Sequence, residues 1–164
     1  MIRPVLKYPH PSLRTPAAEV TEFDQSVLEV AGDLIDTMRS HERCVGLAAP
    51  QIGISLRMIA IDVTDHPKTT ASHGLVVMVN PVVVASAGKE VGREGCLSLP
   101  DITANVARAK RIQFEASFPD GEPFRSVSPG FEARAILHEI DHLDGILILD
   151  RVASPAEVFA RRSR

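Results

Sequence analysis

The chain lacks tryptophan, and its aromatic residues, six phenylalanines and one tyrosine, make up only 4% of the 164 residues. Single-stranded nucleic acids bind largely by stacking their bases on aromatic rings, so the sequence offers few platforms for them. The formal net charge of −3 also provides no attraction to phosphate backbones or to anionic lipids. We therefore expect no specific nucleic-acid partner and no membrane partner.

The sequence also lacks any apolar run long enough to cross a bilayer, and its N-terminal segment has no secretory signal. Its two cysteines, Cys44 and Cys96, are too few for a disulfide framework, and a chain of this size does not need one. We expect a reduced, cytoplasmic protein that folds as a single domain over residues 1–164. Each thiol is then a buried small residue, a reactive group or a metal ligand.

Hydrophobic periodicity predicts two main helices. Segment 23–41 carries apolar residues at helical spacing, and Asp24 is its expected N-cap. The second helix is predicted to be opened by Ser128 and Pro129 and closed by Gly145. Two helices among strands, segregated rather than alternating with them, indicate an α+β domain.

Strands are predicted by short runs of β-branched and alternating residues at 57–63, 74–84, 111–117 and 124–128. The last two runs form a hairpin around the turn PDGEP. Pro81 should interrupt the pairing of the second run because it has no N–H to donate. In the tail, Ser154 and Glu157 form a capping box that predicts a short final helix.

The stretch ILHEIDHLDGIL (136–147) places His138 and His142 four residues apart, on one face of a helix, with Glu139 beside the first imidazole. Two imidazoles and a carboxylate are most of a hydrolytic metal site. The alternative interpretation is two histidines on a helix surface among ordinary acids.

Two acids follow this pattern and need separate interpretations. Asp144 is expected to be solvated or paired with a nearby arginine. Asp141 is either such an acid or a residue that orients an imidazole, and the pattern does not decide between them.

Two further segments carry functional side chains among small residues. In EGCLSLP (94–100), Cys96 is either a buried structural thiol or the ligand that completes a site of one thiolate, two imidazoles and an open position. In GLAAPQIG (46–53), Gln51 offers an amide donor and acceptor. Taken alone, that segment is more typical of a tight loop with an exposed glutamine.

Together the three segments resemble the peptide deformylases. That family has G-x-G-L-A-A-x-Q, then E-G-C-L-S, then H-E-x-x-H, and this chain has CVGLAAPQ at 44–51, EGCLS at 94–98 and HEIDH at 138–142. The N-terminal VLKYPHPSLR and the closing GILILDRV are also similar to the family. The resemblance covers nearly all of residues 1–152, and three motifs in the same order are highly specific.

The resemblance implies short, mostly antiparallel strands around a central helix that binds a metal ion. It implies that Cys96 is the third ligand, beside His138 and His142. It also implies ferrous iron as the physiological ion, which Zn²⁺ or Ni²⁺ replaces in preparations. Ligand preference alone would favour Zn²⁺.

The implied activity is removal of the N-terminal formyl group from formyl-methionyl nascent polypeptides, with release of formate. Glu139 would take a proton from the attacking water and pass it to the leaving amine. The backbone N–H of Leu97 and the side-chain amide of Gln51 would donate hydrogen bonds to the oxyanion.

The resemblance also implies how the peptide binds. Its extended backbone would pair with the exposed strand edge near Gly46 and with the EGCLS segment, which suits many different nascent chains. The methionine side chain would enter an apolar pocket, for which Val45 and Ala135 are candidates by position. A transient contact of the tail with ribosomal RNA is one interpretation of its arginines, and solvated side chains are the other; these arginines are Arg161, Arg162 and Arg164.

The chain departs from the family pattern at three positions. Cys44 replaces the first glycine of GxGLAAxQ, Leu137 replaces a glutamine common before HExxH, and Thr103 replaces an arginine that some members carry. None removes a ligand or Glu139, so we expect an active enzyme with peptide preference or turnover altered.

The alternatives are a generic HExxH metallopeptidase, which would not need Cys96, and a deformylase-like binding protein that has lost catalysis.

Overall fold

The computed structural model describes residues 1–152 and 154–161, which form two α-helices and eight β-strands. The helices are α1 (Gln25–Arg39) and α2 (Gly130–Leu143). The strands are β1 (Gly46–Ala48), β2 (Met58–Ile61), β3 (Val76–Ala87), β4 (Glu90–Cys96), β5 (Leu99–Arg108), β6 (Arg111–Ser117), β7 (Pro123–Pro129) and β8 (Val158–Ala160). No helix in the described ranges combines the length and apolarity that a membrane crossing needs.

The strands form two antiparallel sheets, which confirms the α+β class. One has five strands in the order β1-β2-β3-β6-β7, and the other has three in the order β4-β5-β8. Strand β1 pairs with β2 alone, so it forms one edge of the larger sheet among the described strands. That edge lies at the GLAAPQ segment.

The larger sheet is covered on both faces at β2, where all four residues are buried. Met58 and Ala60 pack in the cluster that includes the apolar side of α1. Ile59 and Ile61 point to the opposite face and pack in the cluster that includes α2. This explains why the segment is a continuous apolar run rather than an alternating one, and it places the two helices on opposite faces of the sheet.

Helix α1 begins as predicted. The Asp24 side chain accepts a hydrogen bond of 3.0 Å from the backbone N–H of Ser26, the position that an N-cap satisfies. The helix then buries an apolar stripe that includes Val27, Leu34 and Met38 against the sheet.

The predicted strand at 74–84 is one long strand with an irregularity at Pro81. Its pairing with β6 shifts register between Val79 and Val82, and Asn80 has a positive φ of 52°. The Asn80 amide exchanges two hydrogen bonds with the backbone of Val20, at 2.9 and 2.8 Å. The proline therefore interrupts the ladder as predicted, in the form of a bulge.

The hairpin is confirmed. Strands β6 and β7 pair from Arg111 opposite Pro129 to Ser117 opposite Pro123, with the PDGEP turn between them. Phe114 is fully buried, as the alternating pattern requires for the inward face.

The start of α2 differs from the prediction. Strand β7 continues through Ser128 and Pro129, and the helix begins at Gly130, whose φ is +62°. The Ser128 hydroxyl does not cap the helix; it donates to the Glu132 carboxylate at 2.7 Å. Ser128 lies in the strand as predicted, and the strand extends one residue further because Pro129 pairs with Arg111 on β6.

The predicted final helix is wrong. After a single 3₁₀ turn at Pro155–Glu157, the chain forms β8, which pairs with β5. One turn is too short to be stable alone, whereas β5 offers an open edge. Ala153 and residues 162–164, including the predicted basic tail of Arg162 and Arg164, lie outside the described residues.

Besides β8, three strands were not predicted by the local patterns: β1, β4 and β5. β1 is a three-residue strand of Gly, Leu and Ala, and β4 contains two glycines, which have weak strand preference. Cross-strand pairing, rather than local propensity, produces them.

Gly145→Ala is expected to lower the free energy of unfolding by about 1–3 kcal/mol. Gly145 has φ +74°, and a Cβ there would lie 2.7 Å from the carbonyl oxygen of Arg14. Gly32→Ala is the matched control: it lies inside α1 with nothing within 4 Å of its added Cβ, so alanine should stabilise by about 0.5–1 kcal/mol. Urea unfolding monitored by circular dichroism measures both, and shifts in the same direction would contradict this account.

Candidate active site

The central helix α2 and the end of strand β4 bring three metal-binding side chains together. His138 and His142 lie one turn apart on α2, with ring centroids 5.2 Å apart, and Cys96 is the last residue of β4. The Cys96 Sγ lies 3.2 Å from Nε2 of His142. One ligand atom from each of the three residues lies within 4.8 Å of the others, and all three residues are buried.

This donor set fits a divalent transition metal. One thiol and two imidazoles are nitrogen and sulfur ligands of the kind that Zn²⁺ and Fe²⁺ accept, and three protein ligands leave an open position. Burial alone would raise the pKa of the Cys96 thiol, but the charge of His142 and hydrogen bonds from both histidines lower it well below its usual range. The thiolate is the form that binds metal.

A buried carboxylate orients the first histidine. Glu94 accepts a hydrogen bond of 2.8 Å from Nδ1 of His138, which leaves Nε2 of that ring for the metal site. Arg108 donates two hydrogen bonds of 2.9 Å to the same carboxylate, and Arg134 donates one of 2.6 Å. Burial opposes ionisation of Glu94, but its hydrogen bonds with His138 and Arg108 lower its pKa well below the usual range.

The network continues to Asp141, whose role the sequence left open. Its carboxylate binds Arg108 at 2.6 Å and Arg151 at 2.7 Å, and no imidazole contact is found for it among the described residues. Asp141 therefore acts on His138 only through Arg108 and Glu94. Asp144 forms an ion pair of 3.0 Å with Arg57 at the surface, as expected.

Sequence reasoning missed Glu94 as a functional residue, although it begins EGCLS. The signal was available: Glu94 and Cys96 are two residues apart, so a strand at this position turns both side chains to the same face. Because no strand was predicted for this segment, the two-residue spacing of Glu94 and Cys96 was not interpreted as two side chains on one face.

Glu139 faces the cavity beside the three ligands. Its side chain is buried, and Oε1 has no hydrogen-bond partner among the described residues; Nδ1 of His142 is likewise without one. Burial raises the pKa of Glu139, while the neighbouring His138 and His142 oppose that shift. A Cβ on Gly46 would lie 2.7 Å from Oε2 of Glu139, so the glycine allows this close approach.

Gln51 is buried rather than exposed in a loop, with 2% of its surface accessible. Its Oε1 accepts from the backbone N–H of Ala48 at 3.0 Å, and this fixes the amide. Its Nε2 lies 3.1 Å from the Ser98 hydroxyl and 3.6 Å from Cys96 Sγ. Leu97, next to Cys96, is half-buried, and it lines the same cavity as Gln51.

These residues line one cavity of ≈ 440 Å³, a size typical of ligand pockets. Val45, Gly46 and Ala135, all predicted substrate contacts, lie on its wall. Phe131 and His66 also line it, with their rings stacked at 3.9 Å between centroids. The cavity thus brings together the predicted site residues except His142, which does not line it and joins the site through its contact with Cys96.

The three departures from the family pattern have different surroundings. Cys44 lines the cavity, and its thiol donates to the Gly46 carbonyl at 3.2 Å; burial raises its pKa to about 12. Both cysteines are free. Leu137 packs against the α2 core cluster, and the Thr103 hydroxyl accepts from Arg93 at 3.3 Å on the cavity wall.

The chain is similar to known proteins over nearly all of its length. The sequence model of the family "Polypeptide deformylase" matches residues 2–158. A peptide deformylase of Dictyoglomus thermophilum is 44% identical over 151 residues, which cover 92% of this chain and 93% of that protein. The range matched by the family model includes all three motifs of this chain.

Solved structures agree with the sequence comparisons. A crystal structure of a peptide deformylase from Legionella pneumophila matches with a TM-score of 0.86 and 40% identity, covering 96% of this chain and 89% of that one. A Met-Ala-Ser-bound peptide deformylase from Acinetobacter baumannii matches with a TM-score of 0.85 and 34% identity, covering 93% and 99%.

Cys96→Ser is expected to lose most of the metal that the wild-type protein retains, whereas Cys44→Ser should retain it. Only Cys96 places its sulfur beside both histidines, while the Cys44 thiol points to a backbone carbonyl and stays protonated at neutral pH. The metal-to-protein ratio after anaerobic purification and dialysis, measured by mass spectrometry of the metals, tests this. Equal retention by the two variants would remove Cys96 from the site.

Proposed function

The chain belongs to the polypeptide deformylase family, and we propose how its own residues carry out the family's reaction, hydrolysis of an N-terminal formyl amide to formate and a free amine. The observation that carries the proposal is the Glu139 carboxylate, which faces the cavity beside Cys96 and the two histidines, with one oxygen that has no hydrogen-bond partner among the described residues. A base next to a metal site in a peptide-sized cavity suits amide hydrolysis.

We propose that Cys96, His138 and His142 hold the metal ion, and that ferrous iron is the physiological one. The family resemblance supports iron, while the donor set also accepts Zn²⁺ and Ni²⁺. When bound, the ion supplies Lewis acidity that makes water nucleophilic near neutral pH. Glu94 keeps the imidazole of His138 in the orientation that metal binding needs.

Glu139 acts as the general base and then as the general acid. Its carboxylate takes a proton from the attacking water, whose oxygen forms the new bond to the formyl carbon. The same proton passes to the amide nitrogen as the C–N bond breaks, so the products are formate and the peptide's free amine. Burial, which raises the pKa of Glu139, strengthens it as a base near neutral pH.

The developing negative charge on the formyl oxygen needs hydrogen-bond donors. We assign the side-chain amide of Gln51 and the backbone N–H of Leu97 to this role. Gln51 is held by Ala48 and Ser98, so its amide is pre-oriented at the cavity floor. Donors that need no reorganisation stabilise a transition state more than the ground state.

The peptide binds as an added strand. Strand β1 is an edge of the larger sheet, and Gly46 lies both on that edge and on the cavity wall. Backbone pairing there ignores side-chain identity, which suits an enzyme for many N-terminal sequences. Val45 and Ala135 then border the pocket for the methionine side chain. The Acinetobacter baumannii deformylase bound to Met-Ala-Ser supports a short peptide that begins with methionine as the ligand.

The proposed partners are formyl-methionyl nascent polypeptides in the cytoplasm, since formylated N-termini are present on chains emerging from translation. Transient ribosome association would bring the enzyme to these chains. The deformylase relatives favour neither a generic metallopeptidase nor a binding protein without catalysis.

Glu139→Gln is expected to lower kcat for formate release from formyl-Met-Ala-Ser by about 10²–10⁴-fold, because the amide fills the same space but accepts no proton. The assay uses anaerobically purified protein, and metal content is measured in the same samples. Release that persists in a metal-loaded variant would remove Glu139 from the mechanism. No release by the metal-loaded wild type would overturn the proposed activity.

Gly46→Ala is expected to lower kcat by about 10²-fold. The new methyl group would lie 2.7 Å from Oε2 of Glu139, so it pushes the carboxylate out of its position beside the metal ligands. Gly32→Ala, which adds the same methyl group in α1 where nothing lies within 4 Å, should leave kcat unchanged. Urea unfolding of both variants separates a local displacement from general destabilisation. An unaffected kcat in Gly46→Ala would show that Glu139 tolerates the shift.

A further inference from the structure

Arg161, the residue directly after strand β8, contributes a charged side chain to the cavity wall. The strand pairs with β5, with Phe159 opposite Thr103, and the backbone N–H of Arg161 continues the ladder by donating to Asp101 at 2.8 Å. This pairing fixes the Arg161 backbone on the sheet that carries Cys96. Arg161 lines the cavity, although it is more than sixty positions from the motif beside it.

The Arg161 guanidinium lies against the backbone of Gly95, the residue before the metal ligand Cys96. A Cβ on Gly95 would overlap this guanidinium, so the guanidinium occupies the space that the missing side chain of Gly95 leaves open. Side chains alternate along β4, and therefore Cys96 points inward while Gly95 faces the open side. The positive charge thus sits directly above the strand that leads to the metal site.

A second arginine is held on the same face. Arg93, two residues before Gly95, stacks its guanidinium on the Phe159 ring at 3.7 Å from the centroid. It also donates to Asn105 at 3.0 Å and to Thr103 at 3.3 Å. All of these partners are neutral, so they position the guanidinium without cancelling its charge.

The charges on the cavity wall do not balance. Within residues 1–152 and 154–161, no carboxylate forms an ion pair with four of the lining cations, which are Arg43, Lys68, Arg93 and Arg161. Of the lining acids, Glu94 is neutralised by two arginines and Glu139 lies at the reacting end. Glu42, which is exposed, is the one other acid among the described residues that line the cavity. A groove with excess positive charge attracts anionic groups on its ligand.

An extended peptide advances about 3.3–3.6 Å per residue. With its formyl group beside Glu139, the one or two residues after the methionine therefore lie within reach of the long arginine side chains on the β4 face. We propose that Arg161 and Arg93 form a carboxylate-binding subsite, which makes the enzyme prefer formyl-methionyl peptides that carry an acidic residue in the first two positions after methionine. This inference rests on the proposed deformylase function.

The test compares matched amidated peptides, formyl-Met-Ala-Asp-amide with formyl-Met-Ala-Asn-amide and formyl-Met-Asp-Ala-amide with formyl-Met-Asn-Ala-amide. At low salt, the wild type should show a kcat/KM about two- to fivefold higher for the Asp member of at least one pair, carried mainly by KM. Amidation removes the terminal carboxylate, and the non-amidated Asn peptides measure its separate effect. The preference should shrink at about 0.5 M salt, because dissolved ions then screen the attraction between the arginines and the Asp carboxylate.

Arg161→Gln should reduce the Asp/Asn ratio to about one, and Arg161→Lys should restore part of it. Arg125→Gln is the matched control, since Arg125 is exposed on β7 and pairs with Glu115 away from the cavity; its ratio should equal that of the wild type. A rise in kcat/KM for Asp and Asn peptides alike in Arg161→Gln would show that the side chain only obstructs the groove, and it would overturn the subsite.

Three failures can be told apart. If formyl-Met-Ala-Ser is hydrolysed but Asp and Asn peptides react equally in the wild type, the subsite is refuted and the deformylase function stands. If the ratio survives in both Arg161→Gln and Arg93→Gln, the assignment to these residues is refuted. If the metal-loaded wild type releases no formate from any peptide, the proposed function fails and the subsite fails with it.

Discussion

The buried carboxylate of Glu94 connects the elements on which the active site depends. It lies on β4 and accepts hydrogen bonds from His138 and Arg134 of α2 and from Arg108 of β5. Three donors compensate the cost of burying one anion, and removing one partner of such a group typically costs about 3–5 kcal/mol. Since β4 also ends in Cys96, the same contact that joins the small sheet to the helix sets the distance between the thiolate and the imidazoles.

A second constraint joins the larger sheet to that helix. Gly46, on the edge strand β1, lets the backbone approach the Glu139 carboxylate, and Gln51 follows shortly after it. The functional groups therefore come from α2 itself and from two segments that meet it: the 3₁₀ turn after the edge strand, which carries Gln51, and the end of β4, which carries Cys96. Each presents its side chains inward, while the open edge and the arginine-lined face remain available to a peptide. The side chains of the candidate site are thus buried, and the cavity beside them is bordered by residues of the open edge.

Much of the fold was predictable where local signals are strong. Helix α1 with its Asp24 cap, the apolar strand β2 and the β6–β7 hairpin all follow from periodicity and turn chemistry. The predictions failed where pairing overrode local preference. Pro129 joined β7 because Arg111 lies opposite it, and the tail formed β8 because the edge of β5 was open. Glycine-rich β4 had no strand signal of its own, so the alternation of Glu94 and Cys96 went unrecognised.

The sequence by itself determined the chemical groups: two histidines and a glutamate at helical spacing, a cysteine in EGCLS and a glutamine in GLAAPQ, whose order identifies the family. These are local patterns, and spacing along a helix is enough to place three of them together. Only the tertiary structure decided which carboxylate orients His138, that Asp141 acts through Arg108, and that Arg161 lies beside Gly95. Those contacts join residues far apart in the chain, and they arise from strand pairing and burial that no single segment encodes.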